Sequence, residues 1–291
     1  MDWKWTDRGA LAGRVIIVTG GSSGIGQAVA ERLTQAGAHV TIAARDIVRA
    51  RDVARELGPN AHARDLDLAD LASVRRFAAE WEGEVDILIN NAGIYSRELQ
   101  VTPAGYELDF ATNHLGHFAL TNLLLPHITG RVVTVASQAE RGSRIDLDDP
   151  AWTRRRYSPS RAYNDSKLAN ILFASELHRR LHAAGSPVLS VAAHPGFVRT
   201  PIYDGGHRQG WAERQLVRIA QSPDEGALPL LFAATESIPG DSFIGPQHAL
   251  HMRGGAQPIG RSARAQNTEL AARLWELSER ATRVSLKLTQ G

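Results

Sequence analysis

The sequence predicts a single α/β domain: a doubly wound parallel sheet of about seven strands with helices on both faces. Three observations carry this expectation. A short continuous apolar run at residues 15–18 suits a strand buried on both faces, as parallel strands are. Stretches with helical periodicity follow this strand and the later ones, so strand and helix alternate along the chain. The 291 residues contain no repeat and no linker-like composition, and open sheets of this length commonly form one unit.

The first strand, Val15-Ile16-Ile17-Val18, leads directly into Thr19-Gly20-Gly21-Ser22-Ser23-Gly24-Ile25-Gly26. Ile25, Val29 and Leu33 then recur at helical spacing, and Gly37 supplies the stop. Strand, glycine turn and helix N-terminus in this order make a phosphate site, because bare backbone can approach an anion that the helix dipole favours. Gly20, Ser22, Ser23, Gly24, Ile25 and Gly26 are thus the expected contacts to a dinucleotide. The second strand, residues 39–45, ends Ala44-Arg45-Asp46. Arg45 offers a planar cationic fork to a 2′-phosphate, which favours NADP, with NAD as the alternative. Asp46 reads as the N-cap of the next helix.

A third strand is expected to end near Leu66-Asp67-Leu68, and Asp70 to open a helix with Leu71, Val74, Ala78 and Trp81 inward. The fourth strand, residues 85–89, delivers Asn90-Asn91-Ala92-Gly93. Thr102-Pro103 reads as a helix start, ahead of an apolar stretch carrying Asn113-His114-Leu115-Gly116-His117-Phe118. Residues 131–136 are the fifth strand, and Ser137 lies just past its C-terminal end, the edge where function gathers in open α/β sheets. Residues 138–160 look irregular, with Arg154-Arg155-Arg156 a solvated loop.

The helix bearing Tyr163 continues its apolar face through Ile171, Leu172 and Leu177. A sixth strand, residues 188–191, leads to His194-Pro195-Gly196-Phe197-Val198-Arg199-Thr200. Residues 1–12 read as an N-terminal tail, and the weakly patterned residues 201–221 as a substrate flap within the domain. Ser222-Pro223-Asp224-Glu225 is a capping box that opens a helix to about Thr235. A last strand is expected at 242–246, and a closing helix carries Leu270, Leu274 and Leu277 on one side.

Composition excludes several classes of function. The net charge of +2 supplies no field for nucleic acid. Without cysteine there is no disulfide, thiolate zinc site or cysteine nucleophile. His178 and His182 stand four apart but lack the glutamate of a zinc-protease helix, so no metal is expected. No run approaches the ~18 apolar residues of a membrane span, and the start has no apolar signal core, so the expected compartment is the cytoplasm.

Tyr163 and Lys167 lie four apart and share one helix face. A phenol with an ordinary pKa near ~10 trades protons poorly at neutral pH, and a neighbouring ammonium favours its ionised form. The pair therefore suits acid/base work on an alcohol or a carbonyl. The chain uses lysine only three times, at 4, 167 and 287, which makes one within such a pattern more noteworthy.

Together the glycine turn at 19–26, Asn-Asn-Ala-Gly at 90–93 and Tyr-x3-Lys at 163–167 resemble the short-chain dehydrogenase/reductase family, whose fold is a Rossmann-type sheet. The phrases at 113–118, 166–173 and 194–200 are similar to the branch holding retinol dehydrogenases and WW-domain oxidoreductases. The resemblance implies a catalytic tetrad of Asn113, Ser137, Tyr163 and Lys167. In it Tyr163 exchanges the proton, Ser137 bonds the reacting oxygen, Lys167 lowers the Tyr163 pKa and bonds the nicotinamide ribose, and Asn113 fixes a water. It also implies cofactor contacts from Asp67, Leu68, Asn91, Ala92, Gly93, Pro195, Gly196, Val198 and Thr200. Its members often form homodimers or homotetramers through the two long helices that here hold Asn113 and Tyr163. The implied activity is interconversion of an alcohol and a carbonyl. Ile94, Phe197, Ile202 and Trp211 point to an apolar small molecule as substrate. The competing readings are a dinucleotide-sensing regulator without turnover, whose usual signature is a lost tetrad, and an epimerase or dehydratase, which uses a different glycine spacing and a longer substrate domain.

Overall fold

The computed structural model describes residues 3–5, 11–199 and 220–286. Apolar side chains alternate across the first strand and find cover on both sides. Ile16 and Val18 of β1 (Val15–Thr19) pack toward one helical layer, while Ile17 packs toward the other. The first layer comprises α1 (Gly24–Gln35), α2 (Ile47–Leu57) and α7 (Pro223–Thr235), which bring Val29, Leu33, Val53 and Leu230. The second brings Val74 and Phe77 from α3 (Leu71–Ala79), Phe118 from α5 (Gly116–Leu124), Phe173 from α6 (Pro159–Ala183) and Trp275 from α8 (Thr268–Thr282).

Strands β2 (His39–Ala44), β3 (Ala61–Asp65), β4 (Val85–Asn90), β5 (Ile128–Val135), β6 (Leu189–Ala193), β7 (Phe243–Gly245) and β8 (Gln257–Pro258) complete the sheet in the order β3-β2-β1-β4-β5-β6-β7-β8. The first seven run parallel, and β8 adds an antiparallel edge of two residues too short to be legible as a strand. Chain order reverses at β1, which pairs with β2 on one side and β4 on the other. The crevice at such a switch point is where open sheets bind ligands.

Several expectations need correction. The third strand stops at Asp65, so Leu66, Asp67 and Leu68 form the turn beyond it. Thr102-Pro103 begins no helix: Gly105, at φ 85°, closes a turn in which Tyr106 returns its carbonyl to the Thr102 N–H. The helix starts instead at α4 (Leu108–Phe110), capped by the carboxylate of Glu107, and passes through a π-helical turn, Ala111–Leu115, into α5. Arg155 is not a solvated loop residue. Its guanidinium lies 3.7 Å from the centroid of the Trp152 ring and pairs with Asp149 and Asp165. Within the N-terminal tail, Trp3 Nε1 donates to Glu236 at 2.9 Å, and the Trp3 ring meets Phe232 and Trp5 edge-on. The expected cap at Asp46 is present, accepting the Arg49 N–H, and so is the Ser222–Glu225 capping box.

Helix α8 covers the outer face of α5 and α6. Trp275 stacks on Phe173 and meets Phe118 edge-on, Arg180 lies over the Trp275 ring, and Ser278 bonds His114 at 2.8 Å. Among the described residues no helix is long and apolar enough to cross a membrane.

Candidate active site

One cavity of about 450 Å³ opens at the C-terminal ends of β1, β2, β4, β5 and β6. Its floor is the turn between β1 and α1. Gly20 has φ 67°, and a Cβ there would stand 2.8 Å from the Cα of Ala92, so both backbone conformation and space require glycine. Ser23, the N-cap of α1, makes no capping bond with its side chain, which leaves the first-turn N–H groups to an incoming anion. Asn91 locks this turn: its Nδ2 donates to the Thr19 carbonyl at 2.8 Å, and the Asn91 and Ala92 N–H groups both donate to Thr19 Oγ1.

The end of the cavity beside β2 is lined by Ala44, Arg45, Asp46 and Arg49 on one side and Leu66, Asp67 and Leu68 on the other. Arg45, Asp46 and Arg49 are all exposed, and the Asp46 carboxylate accepts the Arg49 N–H as the α2 cap. Arg49 was not singled out by sequence reading. Its position one helical turn after Asp46 was the available signal.

The opposite wall, where the predicted catalytic residues fall, is built from β5, the π turn and α6. Ser137 follows the last residues of β5 and caps a short 3-10 turn, its Oγ accepting the Ala139 N–H at 3.2 Å. Tyr163 and Lys167 face the same cavity from α6, with Lys167 Nζ 5.5 Å from the Tyr163 ring centroid. Lys167 is 3% exposed and donates to the Val135 carbonyl at 3.3 Å. Burial lowers its pKa to about 8, and the negative charge of Asp109 partly offsets this. A methyl group at Gly93 would stand 3.3 Å from Lys167 Nζ and 3.4 Å from Asn113 Oδ1, so glycine keeps that gap open.

Asn113 does not line the cavity but stands behind it, fully buried on the π turn. Its side-chain amide exchanges two hydrogen bonds with the Ile94 backbone, at 2.8 and 3.0 Å, and donates to Ser166 Oγ. A π turn at this position fits the habit of such bulges to mark functional sites. The Asn113 carbonyl bonds His117 Nδ1 at 2.9 Å, and His117 Nε2 reaches Thr19 Oγ1, also at 2.9 Å. Sequence reading gave His117 no role, yet it ties the phosphate turn to the catalytic helix. Burial lowers its pKa to about 4 and that of His114 to about 3, so both are neutral struts at ordinary pH.

Pro195, Gly196 and Val198 close the cavity on the β6 side. They are held by Gln221, whose Nε2 donates to the Pro195 and Met252 carbonyls, while its backbone bridges Val198. Gln221 had been assigned to the flap; it is 2% exposed and serves as a fixed brace. Flap residues 201–219, Ile202 and Trp211 among them, and the predicted contact Thr200 lie outside the described residues. His178 and His182 sit on the far side of α6 with ring centroids 6.1 Å apart, and the described residues include no group of three potential metal ligands.

The family profile described as short chain dehydrogenase matches residues 14–209. The chain belongs to this family. Human retinol dehydrogenase 13 is 37% identical over 94% of the chain and 86% of its own length. Mouse polyprenol dehydrogenase is 39% identical over 93% and 84%. Among solved structures, a protein from Mycobacterium paratuberculosis aligns with a TM-score of 0.88 and 46% identity, covering 99% of this chain and 100% of that one. A Burkholderia cenocepacia short chain dehydrogenase in complex with NADP aligns with a TM-score of 0.64 and 28% identity, over 79% and 95%. This short-chain dehydrogenase is therefore an NAD(P)-dependent oxidoreductase acting on CH–OH groups.

Proposed function

We propose that this chain is an NADP(H)-dependent oxidoreductase that interconverts an apolar alcohol and its aldehyde or ketone, with Tyr163 as general acid/base. The observation that carries the reading is that Ser137, Tyr163 and Lys167 share one cavity with a glycine cradle at a helix N-terminus. The residues fit the dinucleotide: the uncapped first turn of α1 suits the pyrophosphate, and Arg45 with Arg49 suits a 2′-phosphate. Asp67, Leu68, Asn91, Ala92, Gly93, Pro195, Gly196 and Val198 would line the remainder. When bound, the nicotinamide supplies or accepts the hydride.

The chain's own residues handle the proton and the charge. Tyr163 delivers a proton to the carbonyl oxygen in reduction and removes it from the alcohol in oxidation. Ser137 Oγ–H donates to that same oxygen as negative charge develops on it. Lys167 stays cationic below about pH 8 and so favours the ionised phenol of Tyr163. Asn113 orients the Ile94 backbone and the π turn behind Lys167. The names of the relatives favour isoprenoid-like alcohols, and Ile94 adds an apolar patch to the wall. Because α8 covers the outer face of α5 and α6, homo-oligomer contacts are assigned to other surface.

The test is a panel of retinoid, polyprenyl and simple aliphatic alcohols and aldehydes, followed by NADPH absorbance, with Tyr163→Phe beside the wild type. Turnover lost in Tyr163→Phe with NADPH binding retained supports the proposal. Equal turnover by the two proteins would remove Tyr163 from the mechanism, and binding of NADH but not NADPH would overturn the cofactor assignment.

A further inference from the structure

The segment that follows Gly93 is gripped from both ends by one helical stretch. At its start, the Asn113 amide binds both backbone groups of Ile94. At its end, Asp109 Oδ1 accepts the Ser96 N–H at 2.9 Å, and Tyr157 donates its hydroxyl to the Ser96 carbonyl at 3.0 Å. The same Tyr157 hydroxyl lies 3.3 Å from Glu107 Oε1. Glu107 in turn accepts the N–H groups of Asp109 and Phe110, which starts the helix that carries Asp109 and Asn113. Between the two grips stands Tyr95, whose ring meets the Tyr163 ring edge-on at 5.6 Å.

Both carboxyls are fully buried, and Asp109 Oδ2 has no hydrogen-bond partner. A capping role alone does not account for a second acid at Asp109 in a dry site, because one uncharged acceptor would satisfy the Ser96 N–H at less desolvation cost. We propose that Glu107 and Asp109 form a buried carboxyl clasp that fixes Tyr95 against the Tyr163 ring, making Tyr95 a positioning residue of the acid/base site. The catalytic meaning of the clasp rests on the proposed role of Tyr163.

The clasp should respond to pH. The groups facing it are Tyr157 from the irregular segment, Lys167 from α6, and, across a small cavity beside Glu107, the Arg155–Asp165 pair. Burial, and then the charge of Asp109, raise the Glu107 pKa from 4.5 to about 7. Burial raises that of Asp109 from 3.8 to about 6, against Ser96 and Lys167. Carboxyls raised in the folded state stabilise it most below their unfolded values, and that contribution fades as pH rises through the folded ones. The clasp is therefore closed when the two acids are protonated and loosens as pH passes from about 6 to about 7.

The test is amide hydrogen exchange at Tyr95 and Ser96 in the NADPH-bound protein, between about pH 5.5 and about pH 8. The protection factor of Ser96 should fall about tenfold over that range, the size of one net hydrogen bond. The double substitution Glu107→Gln with Asp109→Asn keeps an acceptor for the Ser96 N–H and one of the two Glu107 oxygens, so it should make protection independent of pH. Asp109→Ala should lose it at every pH, and if that variant fails to fold, the double variant still decides. PH-independent protection in the wild type, or a double variant that tracks it, would overturn the clasp. Tyr95→Ala should lower kcat about tenfold and leave NADPH affinity within about twofold; an unchanged kcat would remove Tyr95 from the site. The exchange arm needs no substrate, so a failed activity screen would sink the role of Tyr163 while the clasp is still decided.

Discussion

The two walls of the cavity are made in opposite ways. The cofactor rim uses backbone and exposed charge: a glycine turn, the first turn of α1, and Arg45 and Arg49 at the solvent edge. The opposite wall, which carries the proposed catalytic groups, uses buried polar side chains: Lys167 at 3% exposure, and Glu107, Asp109 and the Asn113 amide at 0%. The difference teaches where tuning is possible. An exposed guanidinium keeps its charge at any working pH and contributes a modest, salt-screened amount. A buried amine or carboxyl has its pKa moved by desolvation and by each neighbour, so chemistry in the wall is sensitive to small changes in packing.

The comparison breaks if the wall tolerates substitution as the rim does. Tyr163→Phe should abolish turnover, and Lys167→Arg should lower it by about 10²–10⁴, the range for lost acid/base catalysis. Guanidinium is planar, wider and never deprotonated, so it cannot replace the compact ammonium that Val135 and the Gly93 gap accommodate. The Lys167→Arg pH–rate optimum should also move upward, because Tyr163 is less well activated. Measurement of kcat across pH, with NADPH binding followed separately, checks this; wild-type turnover in Lys167→Arg would leave the lysine a mere packing group.

Support behind the wall is the next largest effect. Trp275 fills the junction of α5, α6 and α8, and Trp275→Ala should cost about 3–5 kcal/mol of stability, as large core truncations do. Denaturant unfolding reads it, and a loss below about 1 kcal/mol would mean that α8 is only loosely docked.

The rim should respond more mildly. Arg45→Ala should weaken NADPH by about 1.5 kcal/mol, the low end for a charge-assisted bond at an exposed site, and leave NADH nearly unchanged. Titration of both cofactors at two salt concentrations sharpens the point, because the wild-type advantage for NADPH should shrink as salt rises. Smallest of all, Asp46→Ala should cost about 1 kcal/mol in stability through the lost cap on α2, without altering cofactor preference. A switch of preference in that variant would reassign Asp46 to the ribose.

Sequence by itself determined whatever depends on neighbours along the chain. The buried strand runs, the glycine turn before α1, the Asp46 cap, the Ser222–Glu225 box and the shared face of Tyr163 and Lys167 are all set within about one helical turn or one strand of sequence. Only the tertiary structure decided the rest. Asp109 is far from Lys167 in the chain, and its charge reaches the lysine because α4 and α6 enclose the same dry space. Tyr95 gained a partner in Tyr163, His117 bridged to Thr19, Gln221 braced Pro195, and Arg155 found the Trp152 ring through contacts that no local pattern encodes. The physical reason is that burial and the proximity of distant groups set the protonation and rigidity of a site, and both are properties of the packed chain rather than of any stretch of it.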